Sequence, residues 1–106
     1  MYKLQFFVPE AHLESVKAAV VKAGAGNVGT YKKCAWNVLG SGQYEPTDES
    51  DPYQGHSGKL ENVREFMVDV VVEDKLIKTV IETLLEAHPY ETPAYGAWKL
   101  LTLDDF

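Results

Sequence analysis

The sequence predicts an α+β fold with the element order β-α-β-β-α-β over residues 1–106, which form a single domain. Two observations carry this prediction. Apolar and polar residues alternate along four segments, as in strands with one buried face, and apolar residues recur every three or four positions along two others, as in amphipathic helices. This order packs most simply as a four-stranded antiparallel sheet with two helices on one face.

The first half of the chain contains a strand, a helix and a second strand. Residues 2–8 alternate apolar and polar side chains and form the first strand. Pro9 suits the first turn of the following helix, where its missing N–H is not needed, and Gly24 suits the end of that helix because glycine tolerates positive φ. Alternation resumes and predicts a second strand over residues 30–39.

The second half of the chain repeats this order. Residues 63–72 alternate and form the third strand. A second amphipathic helix starts at Glu73 and stops at His88, because Pro89 cannot continue a helix. Residues 94–102 form the fourth strand.

The sheet face turned away from the helices is predicted to carry large apolar side chains. Phe7, Met67, Val71 and Trp98 all fall on this face of their strands. An open face with several such groups favours a partner, and the simplest partner is another copy of the chain. We therefore predict a homo-oligomer.

A long loop over residues 40–62 joins the second and third strands. Compact domains seldom carry more than about 15 irregular residues in one loop unless that loop is functional or mobile. Its middle is acidic and polar, and glycines stand at both ends. These glycines are Gly40, Gly42, Gly55 and Gly58. We expect a flexible tip and an ordered base.

Composition narrows the function and the location. Sixteen acidic and ten basic residues give a net charge of −6, and the basic residues form no stripe, so nucleic acid is not an expected partner. Cys34 is the single cysteine, which favours a reducing compartment, and no signal peptide or membrane-spanning run is apparent. The sequence therefore predicts a cytoplasmic protein without a membrane partner.

One motif is a false signal. Residues 24–29 match the dinucleotide fingerprint G-x-G-x-x-G. That motif requires a strand before it and a helix after it, so that the pyrophosphate meets a helix N-terminus. Here a helix precedes the glycines and a strand follows them, so we interpret the segment as a helix stop and turn.

The segment between the second helix and the last strand carries the chemistry. Two prolines, Pro89 and Pro93, stiffen a bend that presents an imidazole, a phenol and a carboxylate from His88, Tyr90 and Glu91. We predict a ligand pocket between this bend and the base of the long loop, across a subunit boundary. Its predicted residues are Gly40, Gly42, Tyr44, Gly55, His56, His88, Tyr90 and Glu91.

The same residues allow other interpretations. One alternative is a divalent-metal site formed by His56, His88 and Glu91, with Cys34 as an additional candidate ligand, since imidazole and carboxylate groups bind such ions. Alternatively, His88 only caps the second helix. A histidine general base would make the chain a small enzyme. However, no Walker loop, serine elbow or two-cysteine motif is present, so an enzyme is the less favoured interpretation.

Four blocks in the same order resemble a known family. They are Gly24-Ala25-Gly26-Asn27-Val28-Gly29-Thr30-Tyr31, Gly40-Ser41-Gly42-Gln43-Tyr44-Glu45-Pro46, Gly58-Lys59-Leu60-Glu61 and His88-Pro89-Tyr90-Glu91-Thr92-Pro93-Ala94-Tyr95. The set resembles the domain inserted in bacterial Nif-three-like (YqfO-type) proteins, here as a free-standing chain. That insert is similar in its ferredoxin-like fold to the CutA divalent-cation tolerance proteins and the PII nitrogen-regulatory proteins.

The resemblance implies a trimer with small-ligand sites in clefts between subunits. The last block also looks like its CutA counterpart, although Ala94 stands where CutA usually has an acidic residue. The metal site of full-length Nif-three-like proteins lies in a domain that is absent here, so neither it nor a hydrolase or cyclohydrolase activity is carried over. PII proteins bind nucleotide through basic loop residues that have no match here.

These observations favour a non-enzymatic, oligomeric sensor or binding module of the PII/CutA type, whose ligand the sequence does not name. One alternative is a divalent-metal protein that binds copper or zinc through His56, His88 and Glu91. Another is a structural adaptor for a larger protein, in which the acidic loop and tail would contact a basic surface.

Overall fold

The computed structural model describes residues 1–106 and contains six principal elements. In chain order they are β1 (Tyr2–Pro9), α1 (Leu13–Lys22), β2 (Trp36–Tyr44), β3 (Glu61–Val72), α2 (Ile77–Ala87) and β4 (Tyr95–Lys99). Short 3-10 turns precede both helices and follow β4. The predicted order of strands and helices is therefore confirmed.

The four strands form one antiparallel sheet in the order β2-β3-β1-β4. The two central strands are β1 and β3, and Phe6 of β1 lies opposite Val68 of β3 and Tyr95 of β4. Both helices pack on one face of this sheet. The predicted fold class, a ferredoxin-like α+β sheet with two helices on one face, is confirmed.

The core lies between the sheet and the helices. Alternate residues of β1 and β3 point to the helices, which meet them with side chains spaced three to four positions apart. Nine of these side chains are almost completely buried: Leu4, Phe6, Val8, Val16, Val20, Val68, Val72, Val80 and Leu84. Each contributes roughly 1.5–3 kcal/mol through the burial of apolar surface, so this layer holds the helices against the sheet.

The bounds predicted for the second strand are wrong. β2 begins at Trp36 and continues to Tyr44, through Gly40 and Gly42, which lie opposite residues of β3. The segment before it cannot extend the strand, because Lys33 has a φ of 61° and its chain turns there. The irregular part of the long loop is correspondingly shorter, over residues 45–60.

The first helix also starts later than predicted. Pro9 is the last residue of β1, and a 3-10 turn over Glu10–His12 separates it from α1. The helix ends close to the predicted stop at Gly24, whose φ is +121°. The second helix ends as predicted, with His88 in an extended conformation at its C-cap.

The other face of the sheet is open. Trp36, Val38 and Trp98 lie on it and remain 58%, 42% and 46% exposed, respectively. A polar pair, Gln5 and Asp69, joins β1 to β3 at the centre of this face with a hydrogen bond of 3.0 Å. The face is thus apolar with a polar centre. No helix has both the length and the apolar character needed to cross a membrane.

Candidate functional site

Three tyrosines meet where the end of β2, the long loop and the bend after α2 come together. The ring centroids of Tyr44 and Tyr53 each lie 6.0 Å from that of Tyr90. These rings border a cavity of about 310 Å³, which we call the tyrosine pocket. Its volume is at the lower end of the range of small-molecule sites.

His88 supports the bend from beneath the pocket. Its Nε2 lies 2.6 Å from the Phe7 carbonyl oxygen, and its Nδ1 accepts from the Tyr90 main-chain N–H at 3.1 Å. A carbonyl only accepts and an N–H only donates, so the ring is the neutral tautomer with the proton on Nε2. Burial lowers the pKa of His88, in agreement with this neutral form. Both ring nitrogens are therefore already used.

Hydrogen bonds fasten the long loop over the pocket. The Tyr44 hydroxyl donates to the Gln54 carbonyl oxygen at 2.7 Å. The Asp51 main-chain N–H donates to Glu91 Oε1 at 3.1 Å, which joins the loop to the bend. On the other side, His12 Nε2 lies 2.9 Å from the Tyr53 hydroxyl. Tyr44, Tyr53 and Glu91 are thus each held by a residue at least 10 positions away in the sequence.

The pocket is acidic. Three glutamates, Glu45, Glu65 and Glu91, line it, and no lysine, arginine or histidine does. Burial raises the pKa of Tyr90, and its interaction with the Glu65 carboxylate raises that pKa further. Burial and the nearby Glu61 and Glu65 also raise the pKa of Tyr44. Both phenols therefore stay neutral at pH 7, and the carboxylates carry the charge.

Gly42 leaves room for one of these carboxylates. A Cβ atom at this position would overlap the carboxylate group of Glu65, which lies on the neighbouring strand. A Cβ atom at Gly40 would meet nothing closer than 3.9 Å. Gly42 therefore helps to place Glu65 at the pocket, whereas Gly40 is an ordinary strand residue next to it.

The structure brings together only some of the predicted site residues. Tyr44, Tyr90 and Glu91 line the pocket. Gly55 lies against Glu61, and His56 is an exposed loop residue whose carbonyl oxygen accepts from Lys59. In this chain, the pocket is thus built from the bend, the end of β2 and part of the long loop, without the glycine-flanked histidine.

The predicted metal ligands do not form a group within the chain. No cluster of three or more His, Cys, Asp or Glu side chains is placed to hold a metal ion. His56 is exposed, and His88 would have to give up its bond to Phe7 or Tyr90 in order to bind an ion. This geometry supports the interpretation of His88 as a structural residue at the helix end.

Three of the six tyrosines and glutamates that line the pocket were not predicted from the sequence: Glu45, Tyr53 and Glu65. Glu65 lies in the alternating pattern of β3, and nothing local distinguishes it from other outward strand residues. Tyr53 stands near Pro52, just as Tyr44 stands near Pro46, and this symmetric placement is the signal that could have paired them. His12, close to the start of α1, is half-buried against Tyr53.

The fold is that of a small ferredoxin-like domain, and it matches the fold of CutA and PII-like proteins. Solved structures with this fold include CutA1 from Pyrococcus horikoshii, with a TM-score of 0.69 and 19% identity over 98% of this chain and 89% of that one. CutA from Archaeoglobus fulgidus gives a TM-score of 0.66 and 16% identity over 94% and 84% of the two chains. At this identity the likeness concerns the fold.

The sequence relatives are larger proteins. The chain is 37% identical over 100 residues to a GTP cyclohydrolase 1 type 2 homolog of Halalkalibacterium halodurans, which covers 94% of this chain and 27% of that protein. The counterpart in Mycobacterium leprae is 40% identical over 99 residues, or 93% and 26% of the two chains. A Bacillus cereus protein related to NIF3 has a TM-score of 0.79 and 34% identity, over 93% and 25%.

These matches confirm the predicted resemblance to a segment of Nif-three-like proteins. The chain spans about a quarter of the length of the curated relatives it matches. No family model matches the chain.

Proposed function

We propose that the protein is a non-enzymatic, homo-oligomeric binding module that takes a small organic cation into the tyrosine pocket. The observation that carries this proposal is the lining of the pocket, in which three tyrosines and three glutamates occur without a basic side chain. The bend after α2 and the long loop supply most of this lining, as expected for a ligand site between them.

The chemistry of the pocket selects for positive charge. The face of an aromatic ring attracts a cation by about 0.5–2 kcal/mol, and this attraction grows as water is excluded. Glu65 and Glu91 add fixed negative charge, which disfavours phosphates and carboxylates. The oxygen of the Tyr44 hydroxyl, whose proton is donated to Gln54, can still accept a hydrogen bond from a polar part of the ligand. An amine or a quaternary ammonium compound meets all three conditions.

Choline and its uncharged isostere 3,3-dimethylbutan-1-ol test this charge preference. We expect choline to bind about tenfold more tightly, because the two molecules differ only in the cation. The measurement is an NMR titration at low ionic strength that follows the Tyr44, Tyr53 and Tyr90 signals. Glu65→Gln should weaken choline binding, whereas Glu86→Gln, on the exposed face of α2, should not. Equal affinity for choline and the alcohol would refute the proposal.

A second pair of variants, at two glycines of β2, tests whether the position of the Glu65 carboxylate matters for choline binding. Gly42→Ala would displace the Glu65 side chain, whereas Gly40→Ala would meet no atom closer than 3.9 Å. The first should weaken choline binding and the second should leave it unchanged. If both variants bind choline as the wild type does, the Glu65 carboxylate takes no part in the site.

We also propose that the open sheet face is covered by other copies of the chain, with a trimer favoured by the CutA and PII resemblance. Light scattering should give a mass near a multiple of 11.8 kDa. Val38→Glu, on the open face, should reduce this mass, and Leu85→Glu, equally exposed on α2, should not. A well-behaved wild-type monomer at micromolar concentration would exclude this assembly.

A further inference from the structure

A second cavity lies on the other side of the fold from the open sheet face. It has a volume of about 620 Å³ and separates α1 from the segment that leads to β2. Lys17 and Lys22 of α1 line one wall, and Lys32 and Lys33 line the other. We call it the lysine cleft.

The wall opposite α1 is an ordered loop. The Cys34 N–H donates to the Gly26 carbonyl oxygen at 2.9 Å, and the Gly26 N–H donates to Val71 of β3 at 2.8 Å. Val28 and Tyr31 exchange two further bonds of 2.9 Å within the loop. Residues 27–33 are therefore closed at their base and attached to the sheet. The positions of Lys32 and Lys33 follow from this closure.

The cleft is strongly positive in an acidic protein. It holds four of the ten basic side chains of a molecule with a net charge of −6. The single acidic residue that lines it is Glu14, which pairs with Lys17 at 3.1 Å. No carboxylate lies within 4.0 Å of the ammonium group of Lys22, Lys32 or Lys33. Three lysines thus line the same cleft without a carboxylate partner.

A purely structural role accounts for only part of this arrangement. Lys22 lies in the last turn of α1, where a cation complements the partial negative charge of the helix end. Lys32 and Lys33 have no such role. Lys33 also has a φ of 61°, a conformation in which asparagine or glycine would be less strained. A lysine at this position therefore keeps its charge at a conformational cost.

We propose that the lysine cleft binds a small polyanion that carries phosphate or carboxylate groups. Three unpaired ammonium groups and a cavity of this size fit several anionic oxygens at once. Ala25 and Asn27, from the glycine-rich segment 24–29, line the cleft. This segment follows the C-terminal end of α1, so the lysines supply the positive charge in place of a helix N-terminus. The chemistry is opposite to that of the tyrosine pocket, and the proposal is independent of that site.

The test uses inorganic tripolyphosphate and citrate as probes, with calorimetry at low and at moderate salt. The double variant Lys22→Gln/Lys32→Gln should weaken binding about tenfold or more, because hydrogen bonds to charged groups are strong. Lys59→Gln/Lys78→Gln makes the same change in net charge at exposed lysines outside the cleft and should bind as the wild type does. Added salt should weaken binding.

The outcomes show which class of anion binds and which results would overturn the proposed site. Tighter binding of tripolyphosphate assigns the cleft to phosphates, and tighter binding of citrate assigns it to carboxylates. Equal weakening in both double variants would show a general charge effect and overturn the site. Absence of binding at millimolar probe would overturn it as well. Unchanged choline binding in the lysine variants would confirm that the two pockets are separate.

Discussion

Replacement of His88 by alanine should lower the free energy of unfolding by about 3 kcal/mol, since it removes two buried hydrogen bonds and leaves a cavity. The Phe7 carbonyl oxygen and the Tyr90 N–H would both lose their partner. His88 is only 6% exposed, so water does not readily replace the ring. The measurement is urea unfolding at pH 7.5, followed by circular dichroism.

Two further variants show whether the hydrogen bonds of His88 account for the loss of stability. His88→Asn can still accept from the Tyr90 N–H but loses the bond to Phe7, so its loss of stability should be smaller than that of alanine. His56→Ala, in the exposed part of the loop, should change stability little. A His88→Ala protein as stable as the wild type would show that the two hydrogen bonds do not hold the bend.

The same histidine makes stability depend on pH. Burial lowers its pKa in the folded state below the value of 6.5 for an unperturbed histidine. The hydrogen bond to Phe7 and the nearby Glu65 oppose this shift, and His12 adds to it. Protonation therefore favours the unfolded chain. The contribution of neutral His88 to the free energy of unfolding is complete above pH 6.5. This contribution is lost as the pH falls through the folded-state pKa. His88→Asn should reduce this loss between pH 7.5 and 5, and an unchanged loss would assign it to other groups.

Gly26→Ala should lower the free energy of unfolding by about 3 kcal/mol or more, for two reasons. Its φ of +90° is unfavourable for any residue with a Cβ atom. In addition, the new Cβ atom would lie 2.9 Å from the Cys34 carbonyl oxygen and 3.0 Å from its nitrogen. Both are backbone atoms that cannot move aside, and the Cys34 N–H donates a hydrogen bond to the Gly26 carbonyl oxygen. Because Gly26 also donates to Val71 of β3, relief of the clash would break the hydrogen bonds that attach the loop to the sheet.

Gly29→Ala is the matched control for this prediction. Gly29 has a φ of +57°, but a Cβ atom there would meet nothing within 4 Å. Its replacement should cost only about 1–2 kcal/mol, the price of a left-handed conformation. If both variants lose the same stability, the close approach of Gly26 to Cys34 contributes nothing beyond its φ.

Most of the fold could be predicted from local patterns. Alternation in β1 and β3 and the helical spacing of α1 and α2 reflect one buried face, which a sequence shows directly. The second strand was the exception, because neither of its faces is well buried and its pattern is therefore weak. Its start depends on the bond between Gly26 and Cys34, and its end depends on pairing with β3.

The candidate site was predictable only in part. Tyr90 and Glu91 follow a helix that ends at a proline, so their place on the bend could be predicted from sequence. His88 lies in the same segment, yet its ring turns inward to the Phe7 carbonyl oxygen, 81 positions away. The sequence did not indicate whether the His88 ring would point inward or toward the ligand pocket.

The sequence alone determined the order of the elements, the buried faces and the open side of the sheet, because these depend on periodicity along a single segment. The tertiary structure decided which charges share a cavity. Glu65 joins the tyrosines through strand pairing, and Lys22 faces Lys32 and Lys33 through the closure at Gly26. Such groupings depend on contacts between distant segments, which no local pattern encodes.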